Sequence, residues 1–362
     1  MTYINFDINK GFKNFIYEGS ANNATLNIGF APDFINYTIS ETEGGFNAYS
    51  MLGSGLLKGD DDGFVSADAN AHKHMTANGA IIGNSSKVNI HNHQCHATAW
   101  NAGGNNQVVN STGTITANVC ANTTTGFSTG TYTGNQSDTQ TIGHGLSKKP
   151  ELVWVQAVDG DDGGDSPWQI STKNTALDNP QKFFYGGARS GSGIGTSANH
   201  FPALPTSSVF TIGNSTEVNK SGRKYVFRCW HSVKGFCKIG EYVTNNFHGG
   251  GAFIYCGFRP AIVQIKLIGN GSLTVYKQGM HLTDTQGHGF SNGVLEDYSY
   301  SWQGGSAEGN ANMIHIYSNG FKILGNNNST AGRNSSLDLT YTYVAWAGQS
   351  LVTQNNLPCN GV

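Results

Sequence analysis

Short runs of alternating apolar and polar residues recur along the chain and never settle into a helical period. Leu152-Val-Trp-Val-Gln-Ala-Val158, Ala261-Ile-Val-Gln-Ile-Lys-Leu-Ile268, Met313-Ile-His-Ile-Tyr317 and Leu339-Thr-Tyr-Thr-Tyr-Val-Ala-Trp346 are rich in β-branched and aromatic residues. Several show the period of two that a pleated strand imposes. Clusters of Gly, Asn and Ser interrupt them every 8 to 15 residues or so. No capped window of helical length carries an apolar stripe with the 3.6-residue period. The pattern predicts an all-β chain of short antiparallel strands.

One phrase within this pattern is repeated. Ile82-Gly-Asn-Ser-Ser-Lys-Val-Asn89 returns as Ile212-Gly-Asn-Ser-Thr-Glu-Val-Asn219, and each copy leads, at the same distance, to a tryptophan, Trp100 or Trp230. A looser copy, Leu324-Gly-Asn-Asn-Asn328, leads to Trp346. A front end repeats as well: Tyr17, Tyr132 and Tyr242 open it, and Pro32, Pro150 and Pro260 close it just before an apolar run. A period of about 110 residues means three versions of one folding unit. Spans 1–125, 126–234 and 235–362 are therefore expected to be three tandem antiparallel β-sandwiches, jelly-roll-like, with the three tryptophans and three prolines as repeated anchors. Each Tyr-to-Pro segment is expected to be a hairpin feeding the strand after the proline, where a missing N–H costs no ladder bond. Gly83, Gly213 and Gly325 are expected at turn positions that need positive φ.

Composition narrows the classes. Charged residues are 12% of the chain, about half the usual share, while 49 of the 362 residues are Gly. A surface of amides and hydroxyls suits a protein that meets other proteins, or one working at high ionic strength where charge pairs are screened. A net charge of −2 leaves no basic footprint for nucleic acid. No apolar run reaches the length of a membrane helix, and the N-terminus lacks the basic and apolar regions of a secretory signal. The six cysteines form no Cys-x-x-Cys pair and read as buried, reduced thiols.

These motifs resemble a domain that recurs in structural, tail-fibre-like proteins of marine tailed bacteriophages, cyanophages and pelagiphages especially. The resemblance rests on Tyr132-Thr-Gly-Asn135, His144-Gly-Leu-Ser-Lys-Lys-Pro-Glu151, Gly213 to Asn219, Tyr225 to Trp230, Gly235-Phe-Cys-Lys-Ile-Gly-Glu-Tyr242, Gly257-Phe-Arg-Pro260 and Ser318-Asn-Gly-Phe-Lys322. It covers residues 126–350 almost completely and 11–105 weakly. It implies a virion structural protein on the particle exterior, most naturally a tail fibre or receptor-binding appendage. Its partners would be other virion proteins, further copies of itself as a trimer, and a host surface glycan or receptor. The alternatives are a capsid decoration or head-fibre protein and a carbohydrate-binding, lectin-like module. The resemblance carries no catalytic residue.

Candidate chemistry lies where the copies differ. In a strand, His91, His93 and Cys95 would share one face, with the ligand types that suit a transition metal. Trimeric phage fibres hold metal ions on their axis with such His-x-His pairs, and His72 and His74 form a second pair. The plainer reading is of polar residues on a half-exposed strand. Asp159, Asp161 and Asp165 crowd a glycine-rich loop with the oxygen ligands that Ca2+ takes, and Asp60 to Asp62 form a smaller acidic turn. Trp168, Tyr185, Tyr298 and Trp302, with Tyr300, are aromatics outside the repeated positions and could serve as saccharide platforms. No paired carboxylates recur in a repeated context, and there is neither a Gly-x-Ser-x-Gly elbow nor a phosphate loop. The chain is read as a non-enzyme that requires no cofactor.

Overall fold

The structure is a computed structural model. It describes residues 11–39, 45–58, 64–65, 68–158, 167–170, 182–185, 195–245, 251–267, 274–277, 298–301, 314–323 and 337–347. Among these, regular structure is strand, apart from a 3-10 turn at Ser50–Leu52 and a single α-helical turn at Thr216–Asn219.

The strands fall into three sets with one shared pairing. The first set is Phe12–Glu18 (β1), Phe34–Ile39 (β2) and Gln94–Trp100 (β3). The second is Phe127–Thr133 (β4), Leu152–Ala157 (β5) and Lys224–Trp230 (β6). The third is Cys237–Asn245 (β7), Pro260–Leu267 (β8) and Leu337–Ala347 (β9). In each set the tryptophan strand lies between the other two and runs antiparallel to both. The register is equivalent throughout: Trp100 faces Phe12 and Phe34, Trp230 faces Phe127 and Leu152, and Trp346 faces Cys237 and Ile262. Further strands extend each sheet beyond β2, β5 and β8.

A smaller sheet covers each large one: Ala24–Asn27 with Gly79–Ile82 and His72–Thr76, Gln140–Gly143 with Val209–Ile212, and Phe253–Tyr255 with Gly320–Ile323 and Ile314–Tyr317. The Tyr-to-Pro segments are therefore arches from large sheet to small, not hairpins, because the tryptophan strand occupies the place beside β1, β4 and β7. Ala117–Asn122, which precedes the expected boundary at residue 126, pairs onto β4, and Val108–Asn110 pairs onto Ala117–Asn122 in turn, lengthening the second sheet.

The central strands of the large sheets are buried on both faces, and all six residues of β5 are buried. Period-2 alternation sorts these side chains between two apolar environments rather than between core and water. The outer faces pack on the small sheets: Ile35, Tyr37, Ala97 and Ala99 meet Leu26, Ala80 and Ile82, while Val153, Val155 and Phe227 meet Phe210 and Ile212. The inner faces meet one another. Trp100, Trp230 and Trp346 form a near-equilateral triangle with ring centroids 6.4, 5.6 and 5.9 Å apart, each pair edge-to-face at 66° to 73°. Phe12, Phe34, Phe127 and Phe236 surround it within the same core. The three indole N–H groups meet no hydrogen-bond acceptor among the described residues; edge-to-face packing offers them ring faces instead. Buried Arg228 of β6 lies over Trp154 at 3.8 Å and over Phe34, from the first set, at 4.6 Å. A guanidinium thus staples the first set to the second by cation–π stacking.

The residue after Pro32 and after Pro150 is a carboxylate with a shared task. Asp33 accepts from Ala102 N (2.7 Å), Gly104 N (2.8 Å) and Asn105 N (2.8 Å), which fixes the chain leaving Trp100. Glu151 accepts from the backbone N–H (2.9 Å) and hydroxyl of Ser232, just after Trp230.

The repeated Ile-Gly-Asn phrase closes each unit by a reason other than positive φ. Gly83 and Gly213 are not among the residues with positive φ; a Cβ on either would lie 2.3 Å from Asn70 O or 2.4 Å from Ala198 O. Only a residue without a side chain allows this backbone approach. The closing asparagine is the fastener. Asn219 donates to Gly213 O (2.9 Å) and Ser137 O (2.8 Å) and accepts from Asn135 N (2.8 Å). Asn89 repeats this with Gly83 O (2.8 Å), Asn22 O (2.5 Å) and Ser20 N (2.7 Å). Gly325 lies outside the described residues.

Candidate functional site

His91, His93 and Cys95 do not share a strand face. His91-Asn92-His93 is a tight turn ahead of β3, with Asn92 at φ +57° and the Nδ1 of His93 on the carbonyl of His91 at 2.8 Å. The same turn is built from Ser221-Gly222-Arg223 in the second set, where Gly222 has φ +74°. Gly19 N and Gly134 N donate to His93 O and Arg223 O alike, at 2.8 Å each. Cys95 is buried at the register position that Tyr225 and Tyr341 hold in the other sets, stacked there on Tyr132 and Tyr242. Its thiol fills core and is pushed up in pKa by burial. His72 and His74 are separated by a bulge, so the buried His72 turns inward to Tyr37 Oη (2.9 Å) while His74 faces out. Among the described residues no three His, Cys, Asp or Glu side chains converge as a metal group. Asp60 to Asp62, Asp159, Asp161, Asp165 and Trp302 lie outside the described residues. Trp168, Tyr185 and Tyr298 are placed by backbone alone, on strands Pro167–Ile170, Lys182–Tyr185 and Tyr298–Ser301 that extend the large sheets.

Two polar clusters resemble chemistry and prove to be fasteners. Ser215, His200 and Glu217 come together, but both oxygens approach the same ring nitrogen: His200 Nε2 is 3.1 Å from Ser215 Oγ and 2.5 Å from Glu217 Oε2. A nucleophile relay needs serine and carboxylate on opposite nitrogens. The first set repeats the cluster with the charges moved: Ser85 Oγ donates to Asp68 at 2.7 Å, and Lys87 pairs with Asp68 at 3.8 Å. His144, in its Gly-His-Gly loop, accepts from Leu146 N at Nδ1 (3.1 Å) and donates from Nε2 to Thr206 O (3.2 Å). That arrangement holds the neutral tautomer, and burial lowers its pKa to about 4.

An unforeseen arrangement lies on the outer face of the third small sheet. Gly320 pairs with Tyr255 on one side and Tyr317 on the other, while Lys322 pairs with Phe253. Directly paired residues share a face, so two tyrosines stand on either side of the buried Gly320, their backbones about 10 Å apart across two strand spacings. Phe253 packs edge-on against Tyr317 at 5.7 Å. Phe253, Tyr255 and Tyr317 are 48%, 59% and 42% exposed, whereas their strand neighbours Ile254 and Phe321 are buried. Lys238 of β7 lies over the Tyr255 ring at 5.6 Å and donates to Tyr255 O. Nothing comparable exists at the equivalent positions. Thr25, Asn27 and Thr76 hold them in the first set, and Thr141 and Gly143 in the second. The sequence signal was present in Phe253-Ile-Tyr255, an aromatic pair two apart, but it sat within the repeated front end and read as scaffold.

One family's sequence model matches residues 7–350, described as a domain of unknown function (DUF7483). The chain belongs to that family. No curated protein and no solved structure matches the chain. The DUF7483 match spans all three strand sets, so the tryptophan triangle and the aromatic face belong to one matched unit.

Proposed function

We propose that the chain is a structural protein of a tailed-phage virion, an appendage of tail-fibre type on the particle exterior that acts through binding contacts. The observation that carries this reading is the pairing of a single aromatic core, shared by three repeated strand sets, with an aromatic face that, among the described residues, is exposed on only one of them. Such a body presents a surface suited to binding. Three strand sets close one core within a single chain, and the proposed partners remain other virion proteins and further copies of the chain as a trimer. The test is gold-labelled antibody against the purified chain, applied to intact particles. Label at the tail tip is the expected result; label over the capsid surface would move the assignment to a decoration protein. Absence of label from intact particles would overturn the virion reading.

A further inference from the structure

The geometry points to a saccharide-binding site on the outer face of the third small sheet, built by Phe253, Tyr255 and Tyr317 over Gly320 and selective for an anionic sugar chain. It deepens the binding role proposed above by naming the ligand class, and it can be tested on the isolated protein.

Three observations carry it. The first is placement: Tyr255 and Tyr317 pair with Gly320 from either side and Phe253 packs edge-on against Tyr317 across the middle strand, so exposed rings lie together over a buried glycine. Gly320 is fixed there, since a Cβ would lie 2.1 Å from Ile254 O. Gly79 does the same in the first set, but between Asn27 and Thr76, so the glycine is scaffold and the aromatic rings are particular to this unit. The second is size. Exposures of 48%, 59% and 42% on side chains of about 200 Å2 leave on the order of 300 Å2 of aromatic surface. That is far below the roughly 800 Å2 per partner of a stable protein interface, yet ample for the apolar face of a few sugar rings. The third is charge. Lys322 sits beside Phe253, where the other sets have Ile81 and Thr211. Lys238, by contrast, has a counterpart in Lys13, which donates to Asn27 O in the same way, and so belongs to the scaffold. The added cation favours a carboxylated or sulfated chain.

The deciding variant borrows the first set's own residues, Phe253→Thr, Tyr255→Asn and Tyr317→Thr together, which that set shows to be compatible with the fold. Purified protein would be passed over immobilised polygalacturonate, alginate and heparin, with dextran and cellulose as neutral comparisons. Retention on at least one anionic polymer is expected, reduced about tenfold or more in the triple variant and several-fold in Lys322→Gln, with circular dichroism and melting unchanged. No retention on any polymer, or equal retention by the triple variant, would overturn the site. Retention on the neutral polymers alone would overturn its charge selectivity. Concentration-dependent dimerisation abolished by the triple variant would make the face a self-contact instead. Because the readout is direct, its failure leaves the antibody-labelling result untouched, and the reverse holds as well.

Discussion

His72 and His144 are neutral by construction: His144 holds fixed partners at both ring nitrogens and His72 at Nδ1, and burial lowers both pKa values to about 4. An unfolded chain would titrate them near 6.5. Above pH 6.5 neither state binds the proton, so these groups cost nothing. As pH falls from 6.5 to 4 the unfolded chain takes up protons that the folded one refuses, and stability is lost, by up to about 3 kcal/mol for each histidine. His231 shifts in the same direction, mainly through burial. Urea midpoints should therefore be level from pH 7 to 8 and fall steeply toward pH 4.5, with a shallower fall in His144→Gln; a level profile down to 4.5 would contradict the assignment. Such roles were not legible in the sequence, where His144 is merely a loop residue and His72 half of a His-x-His pair. What separates His72 from His74 is a bulge, and a one-residue bulge leaves no trace in the spacing.

The repeated strands and their tryptophans were legible, because β-branched and aromatic runs report burial whichever face is buried. Their partners were not. Alternation gives no indication that both faces of β5 are covered, nor that the chain arches from β1 to the small sheet instead of turning back on itself. The glycine of the Ile-Gly-Asn phrase was recognised as essential but for the wrong reason, since close backbone approach and positive φ select the same residue. The two reasons separate by substitution. Gly213→Ala would place a Cβ 2.4 Å from Ala198 O and should cost several kcal/mol, on the order of 3 or more, as overpacked sites do. Gly222→Asn should cost less than about 1 kcal/mol: nothing lies near its Cβ, and Asn92 already holds that turn at φ +57°. Chemical denaturation of the two variants side by side checks the order, and a reversed order would sink this account of the turn. The aromatic face is hidden in the sequence for a related reason. Its residues lie inside a segment whose copies look alike, and only the register shows that Tyr255 stands where Asn27 and Gly143 stand.

The tryptophan triangle joins what the sequence presents as separate repeats. Since Trp100, Trp230 and Trp346 lie in one core, removing one ring opens a cavity that all three sets share. Trp230→Ala should cost about 3–5 kcal/mol and lower the melting of the whole chain together. Scanning calorimetry should show one transition, with calorimetric and van't Hoff enthalpies equal; separate peaks, one of them unmoved by the substitution, would mean that the repeats fold independently. The arrangement also governs how copies can diverge. Three identical chains around an axis must carry every surface change three times, whereas three linked repeats can keep the axis and change one face alone. Among the described residues the aromatic face occurs once, so the saccharide site proposed there predicts one ligand contact per molecule. On the proposed virion reading, firm attachment would come from the number of molecules a particle displays, and its strength should climb with copy number as avidity does, not with the quality of any single contact.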